Sequence, residues 1–203
     1  MLAGVILAGG HNRRMGGAPK ALMPIGEHVL LKIQLQEMAK ICSRITIVTN
    51  IAELLKQAVL PFDEAELLWI SDTYKDTGPM GGIHAASSAV KEPFLWVVGC
   101  DMPMISALAA AEMLALIHQH EADACVPSIG NKEHPLHAVY RRLVVAITSE
   151  ERLSDGNYRL MGMLDAMNTL KAEAPFFMEK GLGVAFVTNI NTPEDYDALI
   201  QPT

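Results

Sequence analysis

The chain has 203 residues, half of them hydrophobic and 19% charged, enough for one domain that buries its core without disulfides. Its formal charge is −7, with no basic tail or stripe, which excludes broad nucleic-acid binding but leaves room for a small anion wherever positive charge is gathered. Cys42, Cys100 and Cys125 are scattered and odd in number, which fits reduced thiols in a cytoplasmic protein, and no C-x-x-C or Cys/His spacing suggests a zinc site; no stretch reaches the ~18 apolar residues of a membrane span.

"AGVIL" (3–7) reads as a buried strand. A glycine-rich loop follows to about residue 24, and "EHVLLKIQLQEMAKI" (27–41) has apolar residues at helical spacing. "RITIVT" (44–49) is β-branched and strand-like, 52–59 helical, and "LLWI" (67–70) a strand. "GPMGGIHAASSAV" (78–90) predicts a helix with a glycine-rich start, and "PFLWVVGC" (93–100) a fully buried strand. A helix over 106–119 and a strand at "ADACVP" (122–127) follow. Beyond residue 128 the alternation loosens: a strand over 135–140, helices over 141–150 and 157–170, a strand "GVAFV" (183–187) and a closing helix over 193–200. Strands and helices alternating at this interval predict an α/β fold, a doubly wound and mostly parallel sheet with helices on both faces. Residues 1–128 would form the main part of a single domain, and 129–203 a smaller C-terminal sub-lobe.

Ligands of such sheets bind beyond the carboxyl ends of the strands, so residues just after predicted strands are the candidates. The first strand runs into "ILAGGHNRRMGGAPK" (6–20). This is no Walker A motif, because Lys20 follows Pro19 and precedes Ala21, and no dinucleotide fingerprint, because Gly9 and Gly10 are adjacent and the helix starts late. What remains is a long loop with Gly9, Gly10, Gly16 and Gly17 at its corners. Its backbone N–H groups can close around an anion, with Arg13, Arg14 and Lys20 supplying the charge that a triphosphate demands. A surface loop with solvated charges is the plain alternative.

Asp101 directly follows a predicted strand, with Met102-Pro103 breaking the chain behind it, where one carboxylate could hold Mg²⁺ together with phosphate oxygens. A capping role for Asp101 is disfavoured because the next helix begins only near Ser106. Asn50 and Asp72 also follow strands, and either could be a ligand or simply a turn former. In "NINTPEDY" (189–196), Thr192, Pro193 and Asp195 make a helix start, leaving Asn189 and Asn191 unexplained. "GNYRLMGML" (156–164) puts Arg159 at the head of an apolar helix; His134 and His137 are assigned no chemistry.

The order LAGG-x-x-x-RMGG-x-x-K, then "SDT", "GPMGG", "CDMP", "HPLHAVY", "GNYRLMGML" and "NINTPED" resembles the molybdenum cofactor guanylyltransferase family across essentially the whole chain. The resemblance implies transfer of GMP from GTP to the terminal phosphate of molybdenum-molybdopterin, with Mg²⁺ as cofactor and pyrophosphate as leaving group. It implies catalytic roles for Arg14, Lys20 and Asp101, with Asp101 as metal ligand. Leu7, Ala8, Gly9, Gly10, Gly17, Lys20, Asn50, Asp72 and Asp101 would bind the nucleotide, and Arg159, Asn189 and Asn191 would face the pterin. Contact with proteins that mature molybdoenzymes is implied as well. Many related nucleotidyltransferases have Asp at the position of Asn191, whereas the guanylyltransferases have Asn. The rival readings are a cytidylyltransferase, which tends to carry alanine in place of the first glycine of LAGG, a sugar-phosphate nucleotidyltransferase, and a nucleotide-binding protein without catalysis.

Overall fold

In the computed structural model, residues 1–9, 19–72, 74 and 76–200 are described. The elements in chain order begin with β1 (Leu2–Leu7), a short 3₁₀ turn (Lys20–Leu22), β2 (Pro24–Ile25), β3 (His28–Val29) and α1 (Leu30–Ala39). There follow β4 (Arg44–Val48), α2 (Ala52–Val59), β5 (Glu66–Ile70), α3 (Pro79–Ala89), β6 (Phe94–Gly99) and α4 (Ala107–His120). The rest comprises β7 (Ala124–Ile129), β8 (Lys132–Glu133), β9 (His137–Arg141), α5 (Arg142–Ser154), α6 (Leu160–Asp165), β10 (Thr169–Glu173), α7 (Ala174–Glu179), a 3₁₀ turn (Ala185–Val187) and α8 (Pro193–Ile200).

The main sheet runs β10-β7-β9-β6-β1-β4-β5, with β8 paired to β7. β1 pairs in parallel with both β4 and β6, and β4 with β5. β9 is antiparallel to β6 and β7, so it is the one reversed strand on the path. Alternation along β1 divides the core in two: Leu2 and Ile6 face the layer that includes Leu31, Leu35 and Met38 of α1, whereas Ala3, Val5 and Leu7 face Met80, Ile83 and Ala86 of α3. Both faces are covered, which is why central strands such as β1 are buried at every position. No helix among the described residues is long and apolar enough to cross a membrane.

Two expectations are corrected. Residues 183–187 form no strand: a 3₁₀ turn spans Ala185–Val187, and the consecutive Phe186 and Val187 are both buried, which a strand with one buried face cannot achieve. The Phe186 ring instead packs at 4.8 Å from His137 and 4.9 Å from Phe177. The helix expected over 157–170 is confined to Leu160–Asp165, because Thr169–Glu173 joins the sheet edge in parallel with β7.

His137, given no chemistry from sequence, is a core residue. Its ring lies 5.4 Å from Trp96, and its Nε2 accepts a hydrogen bond from the Ser106 N–H at 3.1 Å. Ser106 in turn caps α4 by accepting from Ala109 N–H. Burial pushes the His137 pKa from its usual 6.5 down to about 3, so the fold holds it neutral. Because the unfolded chain takes up this proton below about pH 6.5 and the fold does not, the associated stability is complete above that pH. It is lost toward pH 3 at about 1.4 kcal/mol per pH unit. Urea unfolding between pH 7 and pH 4.5 should show a flatter acid limb for His137→Gln than for the parent; equal slopes would contradict the assignment.

Candidate active site

The register brings the predicted strand ends together. Leu7 is level with Val48 and with Gly99, and Val48 with Ile70. The backbone continues the match beyond the strands: Ala8 N–H donates to Val48 O, Thr49 N–H to Ile70 O and Cys100 N–H to Leu7 O, at 2.9, 2.9 and 3.1 Å. Ala8, Asn50, Asp72 and Asp101 therefore emerge along one edge of the sheet. Gly9 and Asn50 are exposed there, while the Thr49 hydroxyl ties the two loops by donating to Ala8 O at 3.1 Å. Arg14, Gly10 and Gly17, with Arg13 and Gly16, lie outside the described residues.

Lys20 is brought to this edge by the 3₁₀ turn, in which Leu22 N–H donates to Pro19 O and Ala21 is buried. Its ammonium donates to Ile190 O at 2.7 Å and to Asn191 Oδ1 at 3.2 Å, and stands 3.5 Å from Asp101 Oδ2. Ile190 N–H donates to Asp101 O at 2.8 Å, so the chain's last loop is fastened to the turn after β6. Beyond it, Thr192 and Asp195 exchange reciprocal bonds: Asp195 N–H to Thr192 Oγ1 at 3.2 Å, and Thr192 N–H to Asp195 Oδ2 at 2.9 Å. That capping box orients residues 189–191 against Lys20.

Gly99 and Gly81, which sequence reasoning passed over, make room for the two carboxylates. A Cβ on Gly99 would stand 2.7 Å from Asp101 Oδ1, and one on Gly81 2.6 Å from Asp72 Oδ1. Asp72 Oδ1 accepts from Tyr74 N–H at 2.9 Å, and α3 starts beside it after Gly78, whose φ of 64° suits glycine. Burial raises the Asp72 pKa, while the Tyr74 N–H and the His84 charge act in the opposite direction. His84 is itself oriented by Ser149 Oγ on α5, 3.3 Å from its Nδ1.

Gly81→Ala gives a prediction of unusual sign. Alanine normally favours a helix over glycine by about 1 kcal/mol, yet here its methyl displaces Asp72 and Thr77. The expected result is a roughly tenfold rise in nucleotide KM, equivalent to about 1.4 kcal/mol. An unchanged KM in steady-state assays would separate Asp72 from nucleotide binding.

Not every candidate joins this cluster. Arg159 is exposed at the head of α6, and its side chain makes no hydrogen bond among the described residues. Asn189 is half-buried beside Ile190, likewise without a side-chain hydrogen bond there. Gln34 was missed as well: wholly buried on α1, its Nε2 donates to Gly99 O and Met102 O, both at 2.9 Å. The available signal was a lone amide on the apolar stripe of Leu31, Leu35 and Met38.

Among the described residues no group of three or more His, Cys, Asp or Glu side chains could cage a metal. One partly exposed carboxylate beside an ammonium fits a cation that completes its shell with phosphate oxygens and water.

A model of the MobA-like NTP transferase domain matches residues 4–170. The chain is 30% identical over 193 residues to the molybdenum cofactor guanylyltransferase of Syntrophotalea carbinolica, covering 95% of this chain and 88% of that one. It is 32% identical over 170 residues to a probable molybdenum cofactor guanylyltransferase of Peptoclostridium acidaminophilum, covering 81% and 73%. The crystal structure of molybdopterin-guanine dinucleotide biosynthesis protein A from Archaeoglobus fulgidus shares the fold, with a TM-score of 0.80 at 22% identity over 98% of this chain and 96% of that one. With six parallel strands and one reversed strand on the sheet path, and a family match that spans both the glycine-rich stretch of the sequence and the Asp101 turn, the chain belongs to the MobA-like NTP transferase family, whose members are nucleotidyltransferases.

Proposed function

We propose that the protein transfers GMP from GTP to the terminal phosphate of molybdenum-molybdopterin, forming the guanine dinucleotide cofactor and releasing pyrophosphate. The observation that carries this reading is the meeting of Lys20, Asp101 and Asn191 at the carboxyl edge of the sheet. A cation, a lone carboxylate and a neutral amide suit a metal-bound triphosphate and a second, phosphorylated substrate. Curated relatives carrying the guanylyltransferase name support the choice of reaction.

The attacking group is a phosphate monoester with a second pKa near ~6, so at neutral pH it is largely dianionic and needs no general base. The task left to the protein is alignment and charge neutralisation. Lys20 faces the phosphates, with Arg14 contributing from the glycine-rich loop. The backbone at Leu7, Ala8, Gly9, Gly10 and Gly17 lets the nucleotide approach closely. Asn50 and Asp72 hold its base and ribose side. Asp101 would hold Mg²⁺, which would supply positive charge to offset that of the phosphates. Asn189, Asn191 and Arg159 face the pterin, so that the nucleotide lies on the part formed by residues 1–128 and the pterin toward residues 129–203. The product then passes to proteins that mature molybdoenzymes, in the cytoplasm.

The test is thermal unfolding with Mg²⁺ and each of GTP, CTP, ATP and UTP, followed by pyrophosphate release with molybdopterin. A ligand at ~100 times its Kd adds about 2.7 kcal/mol of stability. Stabilisation by GTP alone, with turnover, is expected. Preference for CTP would make the protein a cytidylyltransferase, and GTP binding without turnover would make it a nucleotide-binding protein only.

A further inference from the structure

The turn that carries Asp101 is held from its buried side by Gln34. Both partners of its Nε2, Gly99 O and Met102 O, are acceptors, so the amide nitrogen is the atom that faces them. These carbonyls lie on either side of Asp101 in the chain, and among the described residues no other side chain hydrogen-bonds to the backbone of residues 99–102. Gln34 is wholly buried and its Oε1 has no hydrogen-bond partner among the described residues, so an apolar side chain of the same length would avoid the cost of desolvating an amide. The two bonds to the turn are what the amide adds.

The geometry ties that turn to the carboxylate. Asp101 Oδ1 lies so close over Gly99 that a Cβ there would be 2.7 Å away, so the carboxylate rests against the backbone whose carbonyl Gln34 holds. Gln34 also connects two parts of the site. Its helix begins where Leu30 N–H donates to Met23 O at 2.8 Å, directly after the Lys20 turn and the β2–β3 hairpin. The opposite side of the Asp101 turn is fastened to Ile190, next to Asn191.

We infer that Gln34 is a positioning residue for Asp101, keeping its carboxylate aimed at the metal-bound triphosphate. The inference rests on the metal-ligand reading of Asp101 given above.

Gln34→Met keeps the length and bulk of the side chain and removes the donor. The half-saturating Mg²⁺ concentration for GTP turnover should rise about tenfold, while the GTP KM at saturating Mg²⁺ moves less than about twofold. The Mn²⁺ concentration needed to raise the melting temperature of the GTP complex should rise in parallel, and amide hydrogen exchange at Cys100 and Met102 should quicken about tenfold. In an Asp101→Asn background, Gln34→Met should add no further loss, because both changes act on one carboxylate. A variant that melts lower but keeps its metal midpoints and exchange rates would leave Gln34 a packing residue and overturn the inference, as would losses that multiply in the double variant. If Gln34→Met does not fold, Gln34→Asn, which keeps the amide one methylene short, carries the same readouts. The two readings fail separately: an unchanged Mg²⁺ midpoint in Asp101→Asn removes the metal from Asp101, whereas exchange at Cys100 and Met102 still decides what Gln34 positions.

Discussion

Asp101→Asn should lower the rate of guanylyl transfer by about 10³-fold, a loss of about 4 kcal/mol in transition-state stabilisation, while leaving the fold intact. The substitution keeps size and shape and removes the only charge with which the turn after β6 can hold a cation. Its structural cost is small for a reason visible in the site. The Lys20–Asp101 pair is 3.5 Å long, at the outer limit of a hydrogen bond, so little direct bonding is lost with the charge. Lys20 also keeps Ile190 O and Asn191 Oδ1, and the Asp101 carbonyl keeps the Ile190 N–H. Pyrophosphate release measured beside the melting temperature checks both halves. A loss below tenfold in a folded variant would take Asp101 out of the chemistry.

Lys20→Ala should raise the KM for GTP about a hundredfold, or ~2.7 kcal/mol, and flatten the dependence of KM on ionic strength, because a charge facing the phosphates is gone. An ammonium has three donors, and Lys20 directs them at Asp101, Ile190 O and Asn191 Oδ1. In the proposed site a triphosphate would take over part of that set, coupling nucleotide binding to the loop bearing Asn189 and Asn191. Lys20→Arg should rescue little, since a planar fork does not fit three acceptors gathered around one compact charge. Steady-state kinetics at several salt concentrations provide the check, and a KM for Lys20→Arg equal to that of the parent would contradict this view of the pocket.

The parts of the site that could be read in the chain are those set by local rules. Each of β4, β5 and β6 is a short, mostly apolar run with a polar residue within two positions of its end, so Asn50, Asp72 and Asp101 could be named without knowing where the strands lie relative to one another. Thr192 and Asp195 were legible as a helix start because both bonds of the capping box close within three residues. Ser106 could be placed at the start of α4 for the same reason.

The misses share the opposite property. β10 carries no stronger strand signal than the helix beside it, and it exists because the edge of β7 is there to receive it. "GVAFV" has a strand's composition, but the Phe186 ring is inserted between His137 and Phe177, contacts distant in sequence that no local pattern shows.

The sequence alone determined the alternating α/β order and the carboxylate after β6, because periodicity and turn chemistry act over a few residues. Only the tertiary structure decided that Lys20 meets Asn191 across 171 positions, that Gly81 and Gly99 make room for the two carboxylates, and that Gln34 holds the Asp101 turn. These depend on strand register and on which side chains must share one volume, and both are settled when the chain packs.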